Sequence, residues 1–294
     1  MVMPAVRILE ELAVFTPLGI RFWDPVLDDQ IRAGLRVTAW SALGPATNQR
    51  RVSAFRTSSD VYAFHHLPGL LAVEYCLPEA AGSPPPRRPF VVQVEDDERH
   101  FLPAAIAIDL PLLASGVFPT AGACSSMLAP RGFLLYSNPA RPLSSALAAV
   151  RGELIEQSTG APAAHALLRL RVSGEEHYGL ADDSGQFALV FPWPPVLGGG
   201  GSPSLAGGSL REQRWPVTLA VHYEPARLET LPGTLLPDYC SVLQQAPALL
   251  WSLSPTAGGV PASEWAGELI FGRELLVGTT GLYPLLVSPA GSSP

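Results

Sequence analysis

An acidic turn holds the most distinctive group of charged side chains in this chain. Asp182 and Asp183 precede Ser184 and Gly185, and carboxylates near a glycine turn could suggest a Ca²⁺ loop. A calcium loop needs acids at alternating positions and a distant glutamate, which this stretch lacks. A β-hairpin turn with Gly185 at positive φ explains the pattern more simply. We therefore predict a structural turn and no metal site.

A second turn earlier in the chain has the same character. Ser59 and Asp60 separate two apolar stretches, and Asp60 stands where Gly185 stands in the later turn. Aspartate tolerates the left-handed backbone conformation that glycine adopts freely. We expect this pair to be structural as well.

The remaining candidates for chemistry are scattered. His65 and His66 are adjacent, but neighbouring strand residues point to opposite faces of a sheet and cannot easily hold one ion. The acidic run 95–98 is typical of a solvated hairpin tip. The sequence has no His-x-x-x-His or Cys-x-x-Cys spacing, no nucleophile elbow and no phosphate-binding glycine loop. We expect no catalytic residue, no cofactor and no enzymatic activity.

The tryptophans offer a different function. Trp193 and Trp265 lie near prolines or strand ends, where they could be core residues or anchors at a protein interface. The sequence does not separate these two roles, and both residues are candidate interface positions.

The amino-acid composition limits the kinds of molecule that the protein could bind. Charged residues make up 15% of the chain, against a usual share of about 25%, and the net charge is −7. All 19 cationic residues are arginines, so no lysine is available as a Schiff base or a general base. An acidic chain without a basic run is a poor ligand for nucleic acid. A surface with so few charges favours burial against other polypeptides.

The termini and cysteines indicate a location. The first residues include Glu10 and Glu11 where a signal peptide needs an apolar core, and no long apolar stretch predicts a membrane span. Cys76, Cys124 and Cys240 are odd in number and far apart, which favours reduced thiols. We therefore expect a cytoplasmic protein.

Two stretches of the chain read alike. Residues 22–64 and 152–189 each give a strand, a polar turn, a longer strand and a hairpin that ends at a proline. Such a duplication of a small β unit favours a scaffold or binding protein over a catalyst.

Frequent prolines and glycines between short apolar runs predict an all-β protein with two β-sandwich domains in tandem. Residues 72–75 are among the predicted strands. The predicted divisions are an N-terminal arm (1–14), a first sandwich (15–110), a connector (111–145), a second sandwich (146–228) with a flexible loop (197–213), and a C-terminal arm with short strands (229–294).

The second unit resembles the carboxypeptidase-regulatory, transthyretin-like β-sandwich family. The resemblance lies in Val150-Arg151-Gly152-Glu153-Leu154, Thr159-Gly160-Ala161-Pro162 and the stretch from Gly179 to Phe187. It implies transthyretin-like or immunoglobulin-like sandwiches, in which the Asp-x-x-Gly-x-Phe hairpin, here Asp182 to Phe187, is structural. Ala181 departs from the threonine usual in the family.

A wider resemblance covers most of residues 15–225. Its segments, in order, are Leu18 to Pro25, Gly34 to Val37, Tyr62 to Leu70, Arg99 to Pro103, Gly179 to Asp182 and Val190 to Pro194. Together they are similar to a protein encoded in gene clusters for phage-tail-like contractile injection systems. The resemblance implies a non-enzymatic structural part of the baseplate, with baseplate, sheath or tube proteins as partners in a symmetric assembly.

Two alternatives stay open at the level of sequence. One is a stand-alone β-sandwich adhesion or carbohydrate-binding module, which would want an exposed aromatic platform. The other is an enzyme whose site the sequence patterns do not reveal. Either would conflict with a purely structural role.

Overall fold

A computed structural model of the chain describes residues 14–43, 49–75, 86–111, 132–195 and 213–289. These residues are nearly all β, as predicted. The strands are β1 (Leu18–Ile20), β2 (Phe22–Asp24), β3 (Asp29–Gln30), β4 (Leu35–Ser41), β5 (Val52–Ser53), β6 (Phe55–Arg56), β7 (Tyr62–Phe64), β8 (Arg88–Asp96), β9 (Ala104–Leu110), β10 (Phe133–Leu134), β11 (Leu147–Glu156), β12 (Leu167–Val172), β13 (Glu175–Leu180), β14 (Gln186–Pro192), β15 (Arg214–His222), β16 (Leu249–Trp251), β17 (Trp265–Ile270), β18 (Leu275–Val277) and β19 (Leu285–Ser288). Two short helices are α1 (Leu71–Glu74) and α2 (Tyr239–Leu243).

The first sandwich packs small sheets around one apolar core. One sheet has the order β5-β4-β8-β9, and two three-stranded sheets, β1-β7-β6 and β10-β2-β3, complete the unit. Strand β8 is rich in valine, which suits a pleated and buried strand. Phe90 and Val92 point into the main core, while Val91 packs with Trp40 and Leu231 on the opposite face. Both faces of β8 are therefore covered.

The second sandwich repeats this plan. One sheet has the order β13-β12-β15-β17 and the other β14-β11-β19-β16, with β18 also paired to β11. The four-stranded sheets of both units are antiparallel and share one strand order, and β1 pairs with β7 as β11 pairs with β14. The four-stranded sheets of the two units therefore correspond, as the predicted duplication requires.

The C-terminal segment is an integral part of the second sandwich. The sequence divisions ended that domain at residue 228, yet β16, β18 and β19 lie in one of its sheets and β17 in the other. Pairing with β11 and β15 satisfies backbone groups that would otherwise be exposed along both central strands. The strands that were expected in a separate arm therefore complete both sheets of the second sandwich.

Other expectations also need correction. Residues 71–74 form a helical turn where a strand was expected, because a local bond from the Tyr75 N–H to the Leu71 carbonyl at 3.1 Å replaces sheet pairing. Part of the predicted connector, β10, pairs with β2 and belongs to the first unit. The N-terminal arm up to residue 13, connector residues 112–131 and loop residues 197–212 lie outside the described residues.

The thiol prediction is wrong for Cys240, which is disulfide-bonded. Cys76 and Cys124 lie outside the described residues. Among the helices that the structure describes, none combines the length and apolar content needed to cross a bilayer.

The two sandwiches share a hydrophobic core at their junction. Leu167 and Leu180 lie on strands of the second sandwich, but their side chains pack in the core of the first. Tyr239, Val242 and Leu243 of α2 pack in the same core. Asp238 caps α2 by accepting bonds from the Cys240 and Ser241 N–H groups, and its other oxygen accepts the Ala107 N–H of β9 at 2.9 Å. Helix α2 is thereby fixed to both units.

A buried ion pair reinforces the same junction. Arg141 donates to both carboxylate oxygens of Asp24, at 2.6 and 3.2 Å, and to the hydroxyl of Ser137 at 3.1 Å. The two charged side chains are 8% and 6% exposed, and the guanidinium also lies 5.0 Å from the Phe101 ring centre. The pair fixes the segment that enters the second sandwich against β2 of the first.

We expect Asp24→Ala to destabilise the protein by about 3–5 kcal/mol, because Arg141 would remain buried without a counter-charge. Chemical denaturation followed by tryptophan fluorescence measures the change. Asp29→Ala is the matched control, since its partner Arg32 and its own carboxylate are 67% and 57% exposed and such pairs contribute little. Equal stability of the Asp24→Ala and Asp29→Ala proteins would contradict the importance of burial.

Candidate functional site

A cleft lies at the junction between the two sandwiches. It has a volume of about 340 Å³. Its lining consists of Pro25, Val26, Leu134, Tyr136, Ser137, Leu167, Glu176, His177, Tyr178, Val190 and Leu243. The walls therefore come from the turn after β2, from β10 and the residues that follow it, from three strands of the second sandwich and from α2. Apolar side chains dominate, with a few polar groups from β13 and the connector.

Two buried tyrosines support the floor of the cleft. The rings of Tyr136 and Tyr239 stack with centres 6.2 Å apart, and the Tyr239 hydroxyl donates to the Leu134 carbonyl at 3.0 Å. Burial raises the pKa of Tyr136 to about 12 and that of Tyr239 well above its usual range. Both phenols stay neutral at physiological pH, so they serve as hydrogen-bonding groups and not as bases.

The exposed face of β13 carries a linked acid and phenol. The Tyr178 hydroxyl donates to Glu176 at 2.7 Å, and this bond lowers the pKa of the Glu176 carboxyl. Arg171 lies 3.5 Å and Arg169 3.8 Å from the same carboxylate. Glu176 is therefore ionised and already neutralised by its neighbours, which suits a fixed surface network better than proton transfer.

His177 faces the opposite side of β13. Its ring stacks on Phe191 with centres 4.4 Å apart and planes inclined by 16°. Burial lowers the pKa of the imidazole below its ordinary value of 6.5. The neutral ring acts as a packing element at the rim of the second core.

Both groups of predicted turn residues lie in tight turns. Gly185 has φ of 80° and Asp60 has φ of 58°. One Asp182 oxygen accepts from the Ser184 N–H, the Ser184 hydroxyl and the Gln186 N–H at 2.7–2.9 Å. Asp183 is exposed to solvent, whereas Phe187 lies in the second core.

The two turns differ in what they join. Asp60 lies between β6 and β7, which pair directly, and the carbonyls of Ser59 and Asp60 both accept from the Gln30 amide. The turn before Gly185 instead leads from β13 in one sheet to β14 in the other. The hairpin predicted there is therefore wrong: only Ala181 and Phe187 form a bridge, because the chain crosses between layers.

The tryptophans expected at an interface both contact the second core. Trp193 lies 4.8 Å from Phe271 and 5.9 Å from Trp215 between ring centres, and its indole N–H donates to the Ser145 carbonyl at 3.2 Å. Trp265 packs against the same cluster. Each is half-buried, and a role in binding other chains remains a prediction.

The other candidate groups are separated. His65 stacks on Phe55 with ring centres 4.8 Å apart. In the acidic run, Asp96 accepts the His100 and Phe101 N–H groups at 2.6 and 3.0 Å, while Glu95 pairs with Arg36 at 2.5 Å. Within the described ranges, no three His, Cys, Asp or Glu side chains are grouped to hold a metal ion.

The cleft was missed in the sequence because its lining residues come from distant segments. One signal was present: Leu167 and Leu168 are adjacent apolar residues at the start of β12, and they face different cores. Strands buried on both faces lose the apolar–polar alternation. The arrangement offers a mainly apolar recess edged by aromatic side chains, which suits binding of a side chain or small group.

Comparisons with known proteins leave the family open. No protein-family model and no curated protein matches the sequence. Among solved structures, the shaft pilin SpaA from Lactobacillus rhamnosus GG matches at 7% sequence identity. The match covers 94% of this chain and 98% of the pilin chain, with a TM-score of 0.23. A C-terminal fragment of the pilus adhesin SpaC from the same organism matches with 10% identity, 94% and 99% coverage and a TM-score of 0.21. TM-scores this low are not evidence of a shared function.

We expect Gly185→Ala to destabilise the protein by about 1–3 kcal/mol. An added Cβ would lie 2.4 Å from the Leu154 carbonyl oxygen, and the backbone has positive φ. Gly160→Ala is the control, because φ there is 70° but nothing lies within 4 Å of the added atom. Thermal unfolding compares the two variants, and a smaller loss for Gly185→Ala than for Gly160→Ala would contradict the close approach.

We expect the melting temperature to fall as the pH is lowered through 6.5, the ordinary pKa from which burial depresses His177. Below that pH the unfolded chain binds a proton that the folded imidazole resists, so protons favour unfolding. His177→Gln should reduce the slope of melting temperature against pH. Some slope should remain, since burial also lowers the pKa of His165. An unchanged slope in the variant would contradict the assignment to His177.

Proposed function

We propose that the chain is a non-enzymatic structural subunit of a contractile, phage-tail-like injection machine, where it bridges neighbouring subunits of the baseplate. The observation that carries the proposal is the rigid coupling of its two sandwiches. A shared core, a capped helix and the buried Asp24–Arg141 pair all act at one junction. A spacer that holds neighbours at a fixed separation needs such coupling.

The C-terminal segment adds to this rigidity from the far side of the first unit. The indole N–H of Trp40 donates to the Pro232 carbonyl at 2.8 Å, and Arg51 donates to the Gly233 carbonyl at 2.5 Å while lying over the Trp40 ring. The same segment then continues into β16 of the second sandwich. One stretch of chain therefore contacts both units.

The surface supports burial against other polypeptides. Large apolar side chains are exposed on loops, among them Leu235 (97%), Val260 (81%) and Tyr283 (62%). A chain with 15% charged residues has few charges to separate these side chains. Obligate interfaces are large and apolar, and subunits of closed rings present the same surfaces to each neighbour.

The proposed partners are baseplate, sheath or tube proteins within a symmetric particle. Nucleic acid is disfavoured by the net charge of −7. The cytoplasmic location expected from the sequence stays a prediction, and the Cys240 disulfide argues against it, because disulfides are rare in reducing compartments.

A second candidate function is supported by one feature. Tyr178 is 45% exposed on the outer face of the second sandwich, beside Glu176 and the junction cleft. An exposed aromatic ring next to a carboxylate would suit a stand-alone adhesion or carbohydrate-binding module. Binding of the free protein to a glycan array would favour this function.

Co-purification tests the structural role. We expect the tagged full-length chain, expressed with its neighbouring genes, to sediment with sheath and tube proteins. Leu235→Asp combined with Val260→Asp should reduce its share in the particle by at least severalfold, because charges on exposed apolar side chains oppose burial at an interface.

Gln244→Asp is the control, since it places a charge at an exposed polar position. The melting temperature of each variant verifies folding. A wild-type chain that never enters a particle, or a double variant that enters as well as the wild type, would refute the proposed role.

A further inference from the structure

Strand β13 has one backbone edge that points away from its sheet. Ser173 and Gly174, with φ of 51° and 84°, make the tight turn between β12 and β13. At the other end of the strand, the Ala181 N–H donates to the Ala166 carbonyl at 2.9 Å. Antiparallel strands alternate the direction of their backbone groups. The N–H and C=O groups of Glu176 and Tyr178 must therefore point outward.

Among the described strands, β13 pairs with β12 alone. The next strand, β14, belongs to the opposite sheet. Proteins usually protect a free edge with proline, a bulge or a very short strand. Strand β13 has six residues, contains no proline and pairs with β12 in continuous register. Its edge is suited to accept a further strand.

The junction cleft lies directly beside this edge. Glu176, His177 and Tyr178 form one wall, while Val26, Leu134, Leu167, Val190 and Leu243 supply the apolar surface opposite. A strand added to β13 would direct alternate side chains toward this recess. The cleft thus provides a place for an apolar side chain, and the edge provides backbone hydrogen bonds.

Local charge does not select the occupant. Glu176 is the charged side chain in the cleft lining, and its carboxylate is already paired with Arg169 and Arg171, at 3.8 and 3.5 Å. The occupant is therefore defined by the strand edge and the apolar recess.

We infer that β13 and the junction cleft form a docking site for an extended segment of a neighbouring subunit with apolar side chains at alternate positions. The segment adds as a strand to the Glu176–Tyr178 edge and places an apolar side chain in the cleft. This inference rests on the proposed function for the identity of the partner, but the site itself can be tested without it.

A library of short random peptides, selected on the immobilised full-length protein, tests the site. We expect the selected peptides to carry apolar residues at alternate positions. Tyr178→Pro should weaken their binding by about tenfold, because it removes an outward N–H and blocks close approach of a second strand. The same change leaves the bonds between β12 and β13 intact, since the Tyr178 N–H does not point toward β12.

Two controls separate the backbone from other effects. Tyr178→Val removes the ring but keeps the N–H. Because the ring also lines the cleft, some weakening is expected, but it should be at least about threefold smaller than that of Tyr178→Pro. Ala266→Pro places a proline on β17, the strand at the other edge of the same sheet. The Phe271 N–H donates to the Gln213 carbonyl of the neighbouring chain segment, so by alternation the N–H of Ala266 points away from the sheet. This variant should bind the peptides as tightly as the wild type.

Failure of the site and failure of the proposed function are distinguishable. Peptides that bind Tyr178→Pro as tightly as the wild type, or a library that yields no binder, would overturn the docking site whatever the particle shows. Peptide binding that depends on Tyr178 in a chain that enters no particle would retain the site and refute the baseplate role.

Discussion

The buried ion pair between Asp24 and Arg141 is the contact on which the architecture depends most directly. A carboxylate and a guanidinium removed from water are tolerated only when they face each other with good geometry. Here both oxygens of Asp24 and two nitrogens of Arg141 are engaged, and Ser137 accepts a further bond. The pair joins residues 117 positions apart in sequence, so it holds the entry to the second sandwich against the first.

The apolar contacts at the same junction convert two small domains into one body. Leu167 and Leu180 belong to strands of the second sandwich but pack in the core of the first, and α2 joins them there. Separate sandwiches linked by a flexible connector would instead be free to reorient. In the proposed role, this rigid body would be the spacer between other subunits.

The packing that couples the two sandwiches also determines which strand edges and clefts stay open to a ligand. The C-terminal strands pair with the backbone groups of β11 and β15 in the second sandwich. Asp238, which caps α2, accepts a hydrogen bond from the backbone of β9. Strand β13 keeps an unpaired edge among the described strands, and the junction places an apolar recess beside it. The same packing that couples the sandwiches therefore creates the cleft.

The sequence by itself determined the all-β class, the repeated unit and the turns at Asp60 and Gly185, because short-range alternation and positive-φ residues encode these features locally. The tertiary structure alone decided that residues 249–288 supply strands to the second sandwich and that Asp24 meets Arg141. It also decided where Glu176, Tyr178 and Leu243 meet. These features depend on contacts between segments far apart in the chain, and a local pattern does not specify which distant partner a strand, charge or side chain will find.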